Sequence, residues 1–179
     1  KHRTSVSMVR DILMYMDRNY VPQYKKTPVF ELGIKLFGNE VFHKNTLERI
    51  QRLIMDIIRK DREGFEVADR FLLKSLCLMM IEISKKEVYQ PHFEKVFLNE
   101  SRQFFSQEAY QRFESSTATD YLRKVTDRLK EERDRASRCM DEETRVKIED
   151  VIKQVMIDNY KTRIIEKDGS GCKVMLQEW

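Results

Sequence analysis

The sequence predicts an all-α fold, and three observations carry that prediction. Among 179 residues only five are Gly and three are Pro, too few for the turns an all-β chain needs every few residues. Charged residues make up 36% and hydrophobic residues 41%, with Leu, Ile, Met, Lys and Glu abundant, a balance suited to amphipathic helices. Apolar residues recur three and four apart, and no segment alternates as a strand would. The length allows one sizeable core or two small ones.

A first helix is expected from about Thr4 to Val21, stopping at Pro22, which disfavours helix in the residue before it. Its stretch "MVRDILMYMDRNYVP" is apolar on two sides. At about 100° per residue, Val9, Ile12, Leu13, Met16 and Tyr20 form one stripe, the expected core face. Met8, Asp11, Met14, Tyr15 and Arg18 fall opposite, where a solvated face would carry Lys, Glu or Gln. A second helix, "PVFELGIKLFGNEVF", opens near Pro28 and lines up Val29, Leu32, Leu36 and Phe37. The third, "NTLERIQRLIMDIIRKDREG", starts on a capping arrangement of Asn45 with Glu48. It presents Leu47, Ile50, Leu53, Ile54, Ile57 and Ile58, and stops at Gly64.

The fourth helix, "DRFLLKSLCLMMIEIS", begins near Asp69. It is apolar on most sides, which marks it as the buried centre of a bundle. After "KKEVYQ" comes a long fifth helix led by Pro91, with an aromatic side of Phe93, Val96, Phe97, Phe104 and Phe105, read as core. The sixth, "DYLRKVTDRLKEERDRASRCM", sets a narrow stripe of Tyr121, Leu122, Val125, Leu129 and Ala136 beside a very charged surface. The seventh turns Ile148, Val151, Ile152, Val155 and Tyr160 inward and ends at "DGSG"; "CKVMLQEW" begins something further. No low-complexity tract or long linker divides the chain. It opens without Met and without a signal-peptide pattern, and it reads as a fragment cut at both ends.

The net charge of +4 is modest, and Lys and Arg alternate with Asp and Glu as in "DRLKEERDRASR". That pattern describes solvated helix faces with i,i+4 pairs rather than a phosphate-binding stripe. Cys77, Cys139 and Cys172 are odd in number and far apart, with no CxxC pair. This composition points to a reduced intracellular protein, without disulfide staples or zinc. No apolar run reaches the length of a membrane span.

Catalytic constellations are not found. His2, His43 and His92 are isolated, with no HExxH or His-x-His spacing. "DGSG" lacks the following GKS or GKT of a phosphate loop and the strand before it. The hydroxyls of "ESSTAT" have no partner base. The acidic pairs Glu131–Glu132 and Glu142–Glu143 are expected on exposed faces. No catalytic, metal or cofactor residue is therefore assigned. Seven helices without a site suggest a protein that works through its surfaces.

Four segments, "MVRDILMYMDRNYV", "VFELGIKLFGNEV", "VYQPHFEKVFLNESRQFFSQEAYQRF" and "YLRKVTDRLKEERDRASRCMDEET", resemble the amino-terminal region of cullins in order and spacing. The match is best to the third cullin class, whose adaptors are BTB-domain proteins, and "RDILMYMDR" is its most class-specific piece. "FEVADRFLLKSLCLMM" keeps a Val-x-Asp-Arg pattern and then diverges. The resemblance implies an all-α, elongated stalk of cullin repeats, which are five-helix bundles, with one complete repeat flanked by partial ones. Residues 1–22 would be the last helix of the first repeat, 28–140 the second repeat and 142–179 the start of the third.

The resemblance also implies a non-catalytic scaffold of a ubiquitin ligase. Its adaptor, commonly dimeric, would dock on the first helix. A RING subunit would bind a carboxy-terminal domain that this chain lacks. Tyr15 and Arg18 match family positions that contact the adaptor; Met8, Asp11 and Met14 extend that face by helical projection. Two other readings stand beside this one. A helical tethering or solenoid protein shares the composition, although no period of 34 to 47 residues is present. A nucleic-acid module is suggested only by a pI near 8.9, and steep loss of affinity with salt would be its sign.

Overall fold

The computed structural model describes residues 2–65, 70–84, 86–167 and 171, with side chains described for all of these except 2–5, 70 and 84. The described residues contain helices and turns and no strand. The order is α1 (His2–Gln23), α2 (Val29–Val41), α3 (Lys44–Arg62), α4 (Arg70–Ser84), α5 (Lys95–Ser115), α6 (Ala118–Cys139), α7 (Glu142–Ile152) and a short α8 (Lys161–Ile165). A π turn, Gln90–Glu94, leads into α5. A second, Lys153–Ile157, and a 3-10 turn, Asp158–Tyr160, join α7 to α8. The expected seventh helix is thus interrupted. The chain divides into two compact units, Lys1–Arg49 and Ile50–Trp179.

In the first unit α1 runs two residues past its expected stop, with Pro22 inside its last turn. The end is a Schellman motif. The Lys26 N–H donates to the Val21 carbonyl (3.0 Å) and the Lys25 N–H to that of Pro22 (3.4 Å), with Lys25 at φ +47°. Pro28 is the residue before α2 and offers no side-chain cap. Asp17 of α1 supplies one: its Oδ1 accepts from the Val29 N–H at 2.7 Å.

The expected core stripes of these two helices are not enclosed. Val9, Ile12, Leu13, Met16 and Tyr20 are all exposed, Ile12 by 61%. On α2, Leu32, Leu36 and Phe37 are exposed and Val29 is half-buried. Two helices can cover only the strip along which they meet; a closed core needs a further layer. Asn45 falls inside the first turn of α3, whose first helical bond runs from the Leu47 N–H to the His43 carbonyl, so it does not cap that helix.

The second unit holds a core. From α3 it takes Ile54, Met55, Ile57 and Ile58, while Leu53 is exposed. The helix ends as expected at Gly64 (φ +82°), in a second Schellman motif closed by the Phe65 N–H on the Lys60 carbonyl at 3.0 Å. Contrary to expectation, α4 is not the buried centre. Leu73, Cys77 and Met80 face inward, but Phe71 is 82% exposed and Leu78 is exposed too. The centre is α5, which meets α6, α7 and both π turns. Along it Phe97, Ser101, Phe105, Ala109 and Phe113 are buried, one every fourth residue. Tyr89 and Phe93 continue that spacing before it. The rings of Phe93 and Phe97 stack at 5.6 Å, and Phe113 meets the Tyr121 ring edge-on at 5.2 Å.

The helix α6 begins two residues before Asp120. Thr117 caps it, accepting from the Asp120 N–H at 3.1 Å. Asp141 caps α7 in the same way. The charged side of α6 is partly internal. Glu132 is only 1% exposed, which overturns its expected placement on a solvated face; Glu142 and Glu143 are exposed as expected.

Both Glu132 carboxylate oxygens accept from Arg62 at 2.9 Å, and Arg135 donates to one of them. Arg62 also donates to the Ser101 hydroxyl at 2.8 Å and lies over the rings of Phe97, Phe104 and Phe105. Arg135 reaches Asp61 at 2.6 Å. Burial alone would raise the Glu132 pKa, but the two guanidinium groups outweigh it and hold the carboxyl below its usual range. This cluster fastens α3, α5 and α6 together. A second polar set fastens the first π turn to α7: the Thr144 hydroxyl donates to Glu94 at 2.6 Å and lies 3.0 Å from the Tyr89 hydroxyl.

Candidate partner-binding face on the first helix

The 22 residues of α1 contain no Gly, and their one Pro sits in the last turn, where it forgoes a single backbone bond. The helix therefore presents its side chains at regular angles. Met8, Asp11, Met14, Tyr15 and Arg18 occupy an arc of about 120°. All five are exposed, Tyr15 by 68%. The sequence grouped these residues and the helix brings them to one face.

Their polar groups differ in how free they are. Asp11 Oδ1 is engaged by its neighbour Arg10, whose Nε and Nη2 approach to 3.0 and 2.8 Å. Arg10 also reaches the Ser7 hydroxyl at 3.3 Å. The Tyr15 carbonyl accepts from Asn19 Nδ2 at 2.9 Å, but the Tyr15 hydroxyl and the Arg18 guanidinium carry no hydrogen bond among the described residues. The face thus offers a rigid aromatic body with a free polar tip, a free fork of donors and two adaptable thioethers. These are means of recognition by contact. No nucleophile–base pair lies among them, and the described residues contain no group of three or more His, Cys, Asp or Glu able to hold a metal. His43 is exposed and His92 half-buried in the first π turn.

Two features of the second unit went unread in the sequence. Glu132 lies eleven residues after Tyr121, a separation that returns it to within about 20° of the same stripe, so its burial had a positional signal. The exposed pair Phe71 and Leu78, seven apart, had a weaker one, because an apolar helix does not disclose which of its sides is covered. Of the cysteines, Cys77 is free and buried, its thiol pushed up to about 12 by burial, with Cys139 adding to the effect. Cys139 is free and half-buried; burial raises it, and Arg138 and Lys74 only partly offset that. Cys172 and the tail "CKVMLQEW" lie outside the described residues.

Comparison with known proteins agrees with the resemblance. A family model described as the cullin alpha solenoid domain matches residues 1–178. Cullin-3 of Dictyostelium discoideum is 37% identical over 180 residues, covering 99% of this chain and 23% of its own length. Cullin-3A of Arabidopsis thaliana is 37% identical over 177 residues, covering 98% and 24%. Cullin-4 of Dictyostelium discoideum is 32% identical over 170 residues, covering 93% and 20%. The chain spans about a quarter of the length of the curated Cullin-3 relatives it matches. With a family model matched from end to end and an all-α structure that fits it, the chain belongs to the cullin family.

Proposed function

We propose that this chain is part of the amino-terminal stalk of a cullin scaffold in a ubiquitin ligase, and that the outer face of α1 binds a BTB-domain substrate adaptor. One observation carries the adaptor reading. On that face Tyr15 and Arg18 project from a regular helix with their polar ends unengaged, as anchors awaiting a partner do. Relatives that bear the name Cullin-3 support it. On this reading α1 closes a first cullin repeat, residues 28–140 form a second and residues 142–179 open a third. The stalk holds the adaptor at a fixed distance from a RING subunit bound elsewhere in the protein. Its contribution is geometric, and ubiquitin transfer belongs to other components. The compartments are cytoplasm and nucleus, which fractionation would check.

The test is calorimetric titration of a BTB domain into the full-length protein, beside Tyr15→Ala, with circular dichroism on both. An anchor of this kind contributes about 2 kcal/mol, so the variant should bind about thirtyfold more weakly while remaining folded. If several BTB domains fail to bind the intact protein, the adaptor reading falls. The chain is then a cullin-type helical scaffold or tethering element with a different partner.

A further inference from the structure

A groove of about 500 Å³ opens in the second unit between α3, α4 and the last turn of α6. Ile57 and Leu73 form its apolar floor, Phe71 stands as a wall, and Lys74, Arg138 and Cys139 line its rim. Asp61 and Arg135 also face it but are committed to each other at 2.6 Å. Lys74 and Arg138 are exposed and have no acidic partner among the described residues. The rim is therefore positive, and its charge is uncompensated among the described residues.

The apolar surface does not stop at the groove. Leu78, also exposed, sits seven residues after Phe71 on the same side of α4, about 10 Å along its axis. Exposed large apolar groups in a row, with Lys74 and Arg138 at the groove end and Glu82 one turn beyond Leu78, describe a contact surface rather than solvated helix. We propose that this groove and the adjoining face of α4 dock an acidic segment of a partner protein. Its apolar side chains would pack on Phe71 and Leu78, and its carboxylates would pair with Lys74 and Arg138. The site lies on other helices than α1, so it stands or falls separately from adaptor binding.

Cys139 provides the readout, because an occupant of the groove would cover it while Cys77 is already buried. Iodoacetamide alkylation of the full chain is followed at the Cys139 peptide by mass spectrometry. The probe is a random copolymer of Glu and Tyr, with poly-Glu as the comparison. At a copolymer concentration about ten times its dissociation constant, alkylation should slow about tenfold. Poly-Glu, which has no apolar groups, should protect much less. The double variant K74E/R138E and, separately, Phe71→Ser should lose the protection while circular dichroism stays unchanged. Absence of protection by the copolymer, equal protection by poly-Glu, or protection that survives K74E/R138E would each overturn the proposal.

Discussion

Glu132 has both oxygens held by Arg62 and one shared with Arg135, at 1% exposure. Burying three charges in this way is a poor source of net stability, because desolvation offsets much of the attraction. Removing one partner is another matter, since it strands the others. Glu132→Gln should therefore lower the unfolding free energy by about 3–5 kcal/mol, read from urea denaturation. Arg62→Met combined with Glu132→Leu should lose less than Glu132→Gln alone; a larger loss would mean that the pair itself is a net stabiliser. Tyr15 is the opposite kind of residue. At 68% exposure, its replacement by Ala should shift stability within about 0.5 kcal/mol. The binding loss proposed for it can thus be measured without a folding defect underneath.

At the scale of the helix, the ends show what the sequence states openly. Gly64 at φ +82° closes α3 where a side chain would be strained. Gly64→Ala should cost about 1 kcal/mol although open space surrounds the added methyl group. Lys25 does the same task at φ +47° without glycine's freedom, so Lys25→Gly should lengthen the life of the last turn of α1. Slower amide exchange at Tyr24 and Lys26 is the measure, and faster exchange would contradict it. The helices themselves were legible: each expected one is present, the seventh interrupted after Ile152, because amphipathic spacing and few Gly and Pro leave little else for these segments to form. Which face each helix buries was legible only in part. Phe93, Phe97, Phe105, Ile148 and Ile152 are core as read. The apolar stripe of α1 is in the open, and α4 is covered on one side only. Periodicity tells which residues prefer company; the neighbours decide whether they get it. Glu132 is the reverse error, a residue judged by its charge when its position on the stripe was the better guide.

Across the molecule, acid should act through the buried carboxylates. Glu132 and Glu149 are both held below their ordinary value of 4.5. Burial opposes this in Glu132, but its two arginines prevail; in Glu149 the hydrogen bond from Arg133 leads, supported by Arg145. In the unfolded chain they titrate near 4.5. Their contribution is therefore complete above that pH and is lost as pH falls below it toward their lower folded values. Urea midpoints should be flat from neutrality down to that point and decline further on; a midpoint that rises on acidification would refute the assignment. The buried row on α5 has a consequence of its own. Residues four apart on an α-helix are out of phase by about 40°, so from Phe97 to Phe113 the row precesses by about 160°, nearly half a revolution. A straight rod laid alongside would lose such a row within a few steps. The surrounding helices must follow it round like a thread on a screw, and a screw does not slip by one tooth. Adding or removing a single residue in α5 would throw half of the thread out of mesh.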